Sequence, residues 1–177
     1  MGFKFLYLSA LVGVYLIASW YSTVHGQIIP QLKNHVAITE NTHTCGSINT
    51  KDIAALKSAG FQHIISLNTD DLKVIQKERE TVESLGMEFI HIPVSWEDPS
   101  IESLRQFFEQ MESQENSRLL VHCELNWRVS VFMYLYRTLI LKEEESLARK
   151  DVLQVWNPWK DQTWMAFINQ ANHIFKE

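Results

Sequence analysis

The segment that decides the fold reads Leu119-Leu120-Val121-His122-Cys123-Glu124-Leu125-Asn126-Trp127-Arg128-Val129-Ser130. An apolar strand ends in His-Cys, a short loop follows, and the arginine opens a long apolar helix. Backbone N–H groups converge at a helix N-terminus, where the dipole is positive, so a cysteine placed there is favoured as its thiolate. The planar fork of an arginine suits two oxygens of one tetrahedral anion. Together these groups predict nucleophilic attack on phosphorus or sulfur.

Strands and helices alternate on both sides of this segment. The apolar runs predict strands over 61–67, 87–93 and 118–122. Apolar periodicity and capping residues predict helices over 51–59, from Asp70 or Asp71 to Leu85, and over 101–112, 129–141, 146–155 and 160–175. This alternation predicts the α/β class, in three layers, with a mainly parallel sheet of about four to five strands and helices on both faces. Sites in such sheets form at the carboxyl ends of strands, where Asn68, Trp96-Glu97-Asp98 and Cys123 fall.

The N-terminal 26 residues are typical of a targeting segment. Lys4 gives a positive start, residues 5–18 are apolar, and Val24-His25-Gly26 offers small residues for cleavage. Trp20 and Tyr21 extend the apolar run and leave an uncleaved membrane anchor open, with membrane association through residues 3–21. We therefore expect a signal peptide or anchor over 1–26, one folded domain over 27–177, and an extracytoplasmic location, periplasmic or secreted.

Charge and cysteine content restrict the function classes. The formal net charge of −5 and the lack of any Lys/Arg run argue against nucleic-acid binding. Cys45 and Cys123 are the only cysteines. A disulfide between them is open in an oxidising compartment, although it would block the predicted nucleophile.

The pattern His122-Cys123-x-x-Asn126-x-Arg128-Val129-Ser130, followed by Tyr134-Leu135-Tyr136-Arg137, resembles the bacterial tyrosine-phosphatase-like proteins. These are related to the phosphatase-like domain of beta-lactamase-hydrolase-like proteins. The resemblance runs from about Thr44 to Phe175, and its further motifs are Ala59-Gly60-Phe61, His91-Ile92-Pro93-Val94 with Trp96 and Asp98, and Trp156…Pro158…Trp164…Phe167-Ile168. It implies a cysteine-dependent phosphatase with a phosphocysteine intermediate, no metal and no cofactor. The implied substrate is a phosphorylated small molecule or a phosphoprotein.

The resemblance also implies a role for each residue of the motif. Cys123 would be the nucleophile, Arg128 the phosphate clamp and Asp98 the general acid, with Glu97 as the alternative acid. The backbone amides of Glu124, Leu125, Asn126, Trp127 and Arg128 would form the phosphate cradle. Ser130 would hydrogen-bond the thiolate, or be a helix-start hydroxyl, and His122 would orient the loop. Asp98 has a second interpretation as a helix N-cap before Pro99.

The loop departs from the usual phosphatase pattern in three ways. It is one residue shorter between Cys123 and Arg128, and Asn126 stands where many such loops carry glycine. Asn tolerates positive φ best among the other residues, so the turn is expected to survive. Glu124 would repel a bound phosphate if it faced the cradle, whereas it is harmless if it faces solvent.

Two other functions stay open. The short loop fits a rhodanese-like sulfurtransferase, in which Cys123 would carry a persulfide. A non-catalytic module that binds phosphate or another anion would need the same cradle and arginine. Trp96 and Trp127 would serve either as substrate walls or as core packing.

Overall fold

The computed structural model describes residues 29–176, whose centre is one five-stranded sheet. The strands are β1 (Val36–Ala37), β2 (Thr42–Cys45), β3 (His63–Ser66), β4 (Glu88–His91) and β5 (Leu119–His122). Their spatial order is β1-β2-β5-β3-β4; β1 is antiparallel to β2, and the other pairs are parallel. The leader predicted over 1–26 lies outside the described residues. Within residues 29–176, no helix is long and apolar enough to cross a membrane.

Six α-helices connect and cover the strands in this part of the chain. They are α1 (Thr50–Ser58), α2 (Leu72–Ser84), α3 (Ile101–Ser113), α4 (Trp127–Leu135), α5 (Glu145–Val155) and α6 (Gln162–Phe175). Local chemistry sets most helix starts, since the side chains of Asn49, Asp71, Ser100 and Asp161 accept hydrogen bonds from first-turn N–H groups. The predicted helices and strands are all present, with bounds that differ by a few residues.

Two apolar layers confirm the predicted three-layer α/β class. On one face, α1 and α2 pack Leu56 and Val82 against Ile64 and Leu120 of the sheet. On the other face, helices α3 to α6 cover the opposite side of the same strands with a larger aromatic core. All four residues of β5 are buried, because this strand is central and is covered on both faces.

The long apolar segment predicted over 129–141 is the buried central helix, but it changes form partway. Helix α4 begins at Trp127 and continues after Leu135 as a π-helical turn, Tyr136–Ile140. Arg137 in this turn is buried, and it pairs with Glu143 and Asp151. The pair with Asp151 ties the end of the central helix to α5, and the pair with Glu143 ties it to the loop between them.

Candidate active site

Cys123 lies at the carboxyl end of the central strand, directly before a tight loop into α4. Its side chain is 1% exposed, on the face covered by α3 to α6. Asn126 adopts φ 64°, in the left-handed region, and is the N-cap residue of α4. The expectation that asparagine takes the positive-φ position of this loop is therefore confirmed.

The side chain of Asn126 has a second task, which is to anchor the loop to the start of the domain. Its Nδ2 donates to the carbonyl of Asn34 at 2.7 Å and to Oγ1 of Thr44 at 3.0 Å. In return, Nδ2 of Asn34 donates to the carbonyl of Leu125 at 2.9 Å. The 123–128 loop is thus held by residues that precede it by more than 80 positions.

The loop between β2 and α1 provides another support. Both the backbone N–H and the hydroxyl of Ser47 donate to the carbonyl of Glu124, each at 3.0 Å. A Cβ atom on Gly46 would lie 2.8 Å from that carbonyl oxygen, closer than real Cβ contacts come. Glycine is therefore required at position 46, a residue that the sequence analysis did not identify. The side chain of Glu124 itself is exposed to solvent.

The N-terminus of α4 faces the loop without a side-chain cap. Asn126 makes no capping hydrogen bond, because its amide is directed to Asn34 and Thr44. The N-cap side chains of α1, α2, α3 and α6 do make such bonds. An uncapped N-terminus leaves first-turn N–H groups available for an anion.

Arg128 is 8% exposed and its guanidinium joins the ends of two strands. Nη1 donates to the carbonyls of Leu67 (3.1 Å) and Val94 (2.9 Å), with Oγ1 of Thr69 at 3.4 Å. Nη2 donates to Oδ1 of Asn68 at 3.3 Å. A guanidinium has five N–H donors. The Nε hydrogen and one Nη2 hydrogen have no acceptor among residues 29–176, and two such donors match two oxygens of a tetrahedral anion.

The charge of Arg128 has no carboxylate beside it, in contrast to that of Arg137, the other buried arginine of the described chain. Arg137, 7% exposed, contacts a carboxylate oxygen of Glu143 at 2.8 Å and one of Asp151 at 2.6 Å. No carboxylate of residues 29–176 lies within ion-pair distance of Arg128. A buried charge without a counter-charge is costly, so this position is suited to receive an anion.

Cys123 and Arg128 line one cavity of about 130 Å³. The other lining residues are Trp96, Glu124, Leu125 and Trp127. Trp96 and Trp127 are half-buried and belong to a cluster with Trp156 and Trp164, with Trp127 stacked on Trp156 at 5.2 Å. The two tryptophans therefore both form cavity walls and pack in the core.

The two predicted acids lie outside this cavity. Asp98 and Glu97 are exposed, and Trp96 is the residue of their loop that lines it. The capping alternative for Asp98 is wrong, because the side chain of Ser100 caps α3. The backbone N–H of Asp98 donates to Oγ of Ser95 at 3.2 Å.

Ser130 and His122 also make contacts other than those expected. The hydroxyl of Ser130 donates to the carbonyl of Trp127 at 2.8 Å and accepts from Nε1 of Trp156 at 3.1 Å. Its proton is used inside the helix, so the helix-hydroxyl alternative describes it, and the expected bond to the thiolate is absent. The buried ring of His122 lies 3.0 Å from a carboxylate oxygen of Glu78 in α2. It faces the α1–α2 side rather than the cavity.

The disulfide left open by the sequence is not formed, since Cys45 and Cys123 are both free thiols. Adjacent strands place the two residues near each other, with the N–H of Cys123 donating to the carbonyl of Cys45 at 3.3 Å. Their side chains nevertheless belong to the cores on opposite faces of the sheet. Burial, and then the neighbouring Cys123, raise the pKa of the Cys45 thiol, so Cys45 stays protonated. Residues 29–176 hold no group of three His, Cys, Asp or Glu side chains arranged to bind a metal ion.

This architecture, with a cysteine and an arginine bracketing the loop after the central parallel strand, is that of the cysteine-dependent phosphatases. The chain belongs to the family described as "DSP-PTPase phosphatase fused to NAD+ Kinase", whose model matches residues 16–165. No curated protein matches the chain at a significant level.

Solved structures agree with this assignment. A putative phosphatase (DUF442) from Shewanella putrefaciens CN-32 is 26% identical, with a TM-score of 0.70 over 82% of this chain and 95% of that chain. Two others share the fold at lower identity. The catalytic domain of the PP-IP phosphatase SIW14 from S. cerevisiae is 13% identical, with a TM-score of 0.67 over 82% of this chain and 90% of that chain. A variant of P. aeruginosa TpbA in complex with phosphotyrosine is 12% identical, with a TM-score of 0.62 over 81% and 91%.

Proposed function

We propose that this protein hydrolyses a phosphate monoester through a phosphocysteine formed on Cys123. The observation that carries the proposal is the buried guanidinium of Arg128, which has no carboxylate partner in the described chain and lines one cavity with Cys123. The uncapped N-terminus of α4 adds donors for the same anion. A phosphoryl group bound there would meet the sulfur.

The reaction would proceed in two displacements. In the first, the Cys123 thiolate forms an S–P bond while the ester P–O bond breaks, and the leaving oxygen takes the electron pair and a proton. We assign that proton to Asp98, two residues after the cavity-lining Trp96. In the second, water attacks phosphorus and gives one proton back to the Asp98 carboxylate while the S–P bond breaks, so that inorganic phosphate and the thiolate are released. Arg128 and the loop amides stabilise the charge on the phosphoryl oxygens in both steps.

The substrate class rests on the chemistry of the site and on the relatives. SIW14 is described as a PP-IP phosphatase, and TpbA was crystallised with phosphotyrosine. These two ligands differ, but each presents a phosphoryl group. We therefore propose a phosphorylated small molecule or a phosphoprotein as the substrate.

Trapping the intermediate tests the mechanism. The full chain is mixed with p-nitrophenyl phosphate, quenched in acid and analysed by peptide mass spectrometry. We expect a phosphoryl group on the peptide that contains Cys123, and loss of both adduct and turnover in Cys123→Ser. The matched control is Cys45→Ser, which changes the other buried thiol and should retain both adduct and turnover.

A parallel incubation with thiosulfate separates the alternative functions. A persulfide on Cys123 without any phosphoryl adduct would replace the proposal by sulfur transfer. Neither adduct, combined with binding of inorganic phosphate in calorimetry, would leave an anion-binding module.

We also propose an extracytoplasmic location, on the basis of the apolar segment at the N-terminus. Expression of the full chain in a bacterium, followed by cell fractionation and N-terminal sequencing, tests this. A new N-terminus near residue 27 in the periplasm or medium supports a cleaved signal peptide, and an intact chain in the membrane fraction supports an anchor. An intact chain in the cytoplasm would contradict the proposal.

A further inference from the structure

We infer that Asn68 is a positioning residue that holds Arg128 through a neutral oxygen, so that the full guanidinium charge is available to a dianionic phosphoryl group. This inference rests on the proposed function and identifies what sets the affinity of that site for its anion. Asn68 directly follows the last residue of the apolar run that contains β3, and it is 5% exposed.

The geometry of Asn68 is suited to directing Arg128. Its Oδ1 accepts the bond from Nη2, the nitrogen that also carries one of the two unused donors. Its backbone carbonyl accepts from Nε2 of His91 at 2.8 Å, which fixes the residue to the end of β4. The carbonyls of Leu67 and Val94 hold Nη1. Asn68 is therefore the side chain that orients the edge of the guanidinium from which an anion is bound.

The neutrality of these contacts is the second part of the argument. Every acceptor that Arg128 uses in the described chain is a carbonyl, an amide oxygen or a hydroxyl. The protein thus orients this guanidinium without an ion pair, whereas Arg137 has two. A carboxylate at position 68 would form the same contact and compensate the charge before any substrate arrived.

Asparagine and aspartate have nearly the same shape. Comparing Asn68→Asp with Asn68→Ala therefore separates the effect of added charge from the effect of losing the contact that positions Arg128. Asn68→Asp keeps an oxygen for Nη2 and adds a negative charge, while Asn68→Ala removes the oxygen and adds none. Calorimetric titration with inorganic phosphate and steady-state hydrolysis of p-nitrophenyl phosphate are measured for each variant, with thermal unfolding as the check on folding. Neither replacement enlarges the side chain, so neither overpacks the site.

We expect Asn68→Ala to weaken phosphate binding by about fivefold, the typical net effect of one lost hydrogen bond, because the other three contacts still hold the guanidinium. We expect Asn68→Asp to weaken it by about 30-fold or more, since two like charges are then close together. The KM for p-nitrophenyl phosphate should rise in parallel with the phosphate Kd, and Asn68→Asp should unfold at the wild-type temperature or above. If Asn68 merely supported the fold, Asn68→Ala would have the larger effect on phosphate binding and Asn68→Asp the smaller one, because Asn68→Asp preserves the contact with Arg128.

Asn41→Asp is the matched control for added charge. Asn41 is exposed, and its carbonyl accepts a hydrogen bond from the N–H of Leu119 at the start of β5. It therefore lies at the amino end of the strand whose carboxyl end carries Cys123. We expect this variant to bind phosphate within about twofold of wild type, because water and salt screen distant charges. Wild-type affinity in Asn68→Asp, or in Asn68→Ala, would overturn the inference. Failure of the wild type itself to bind or hydrolyse phosphate would overturn the proposed function instead.

Discussion

Single residues in the loop after β5, and in the β2–α1 loop that contacts it, have roles that follow from backbone geometry rather than from side-chain reactivity. Asn126 takes a left-handed conformation that most residues avoid, and it uses its amide to tie the loop to Asn34 and Thr44. Gly46 is required because a Cβ atom there would come within 2.8 Å of the carbonyl oxygen of Glu124. The shape of the 123–128 loop therefore depends on a residue that does not belong to it.

Replacing Gly46 by alanine tests this dependence. The added Cβ would displace the Glu124 carbonyl, so we expect a loss of about 1–3 kcal/mol in the free energy of unfolding. We also expect kcat/KM to fall by up to about 100-fold, because small displacements in a site are costly. Urea unfolding and hydrolysis of p-nitrophenyl phosphate measure the two effects. Ser47→Ala, which removes one bond to the same carbonyl but adds no atom, should change both less; equal effects would remove the steric argument.

Asp98, to which the general-acid role is assigned, is exposed and does not line the cavity that Cys123 and Arg128 share. If it protonates the leaving oxygen, Asp98→Asn should slow hydrolysis of alkyl phosphates by about 10²–10⁴-fold. The effect on p-nitrophenyl phosphate should be much smaller, because its leaving oxygen needs little protonation. Glu97→Gln is the matched control. If only Glu97→Gln shows the leaving-group dependence, the role passes to Glu97.

At the scale of elements, the β1–β2 hairpin supports the site although it carries none of the reacting groups. Strand β2 lies next to β5, and Thr44 in β2 accepts from the loop asparagine. The hairpin also holds two stacked histidines, with Nε2 of His35 2.9 Å from Nδ1 of His43. His43 is 4% exposed, and its other ring nitrogen lies 3.1 Å from the carbonyl of Glu40.

This histidine pair predicts a pH dependence of stability. Burial lowers the pKa of His43, and the charges of His35 and Arg118 lower it further, against the opposing effect of the Glu40 carbonyl. At a pH between the lowered pKa of His43 in the folded chain and the value of about 6.5 in the unfolded chain, the unfolded chain binds more protons. The contribution of His43 to the free energy of unfolding is therefore complete above about pH 6.5 and is lost as the pH falls from there toward the folded pKa. Urea unfolding should show a smaller free energy of unfolding at pH 5.5 than at pH 7.5. We expect His43→Gln to reduce this difference, and the control His173→Gln, a change at an exposed histidine, to leave it unchanged. The same difference in His43→Gln as in the wild type would contradict the assignment of this pH dependence to His43.

At the scale of the whole molecule, the site is assembled where the carboxyl ends of three parallel strands meet. The loops after β3 and β4 hold Arg128, and the loop after β5 carries Cys123. The tryptophan cluster joins this edge to the core between α4 and α6. Because no carboxylate of residues 29–176 compensates the buried charge of Arg128, we expect the binding of an anion there to be linked to global stability.

Inorganic phosphate should therefore stabilise the folded chain. At a concentration 100 times its Kd, a ligand that binds only the folded state adds about 2.7 kcal/mol to the free energy of unfolding. Thermal unfolding with increasing phosphate, at constant ionic strength, should show this shift in the wild type and in Cys123→Ser, which keeps the cradle. Arg128→Met should lose it. An equal shift with chloride, or a full shift in Arg128→Met, would show that the site is not the one that binds the ion.

The sequence by itself determined the six helices, the three strands over 61–67, 87–93 and 118–122, and the cysteine–arginine loop, because apolar periodicity and capping chemistry act within a few residues. Strands β1 and β2, two and four residues long, were not predicted from such a pattern. The tolerance of asparagine for positive φ, which is also a local property, predicted the backbone conformation of Asn126. The carbonyls that hold Arg128, the task of Gly46, and the exclusion of Asp98 and Glu97 from the cavity were decided only by the tertiary structure. Their partners are far away in the chain, 61 residues for Leu67 and 92 for the Asn34–Asn126 bond. Strand order and the paths of the connecting loops, rather than any local pattern, determine which distant groups meet at the edge of the sheet.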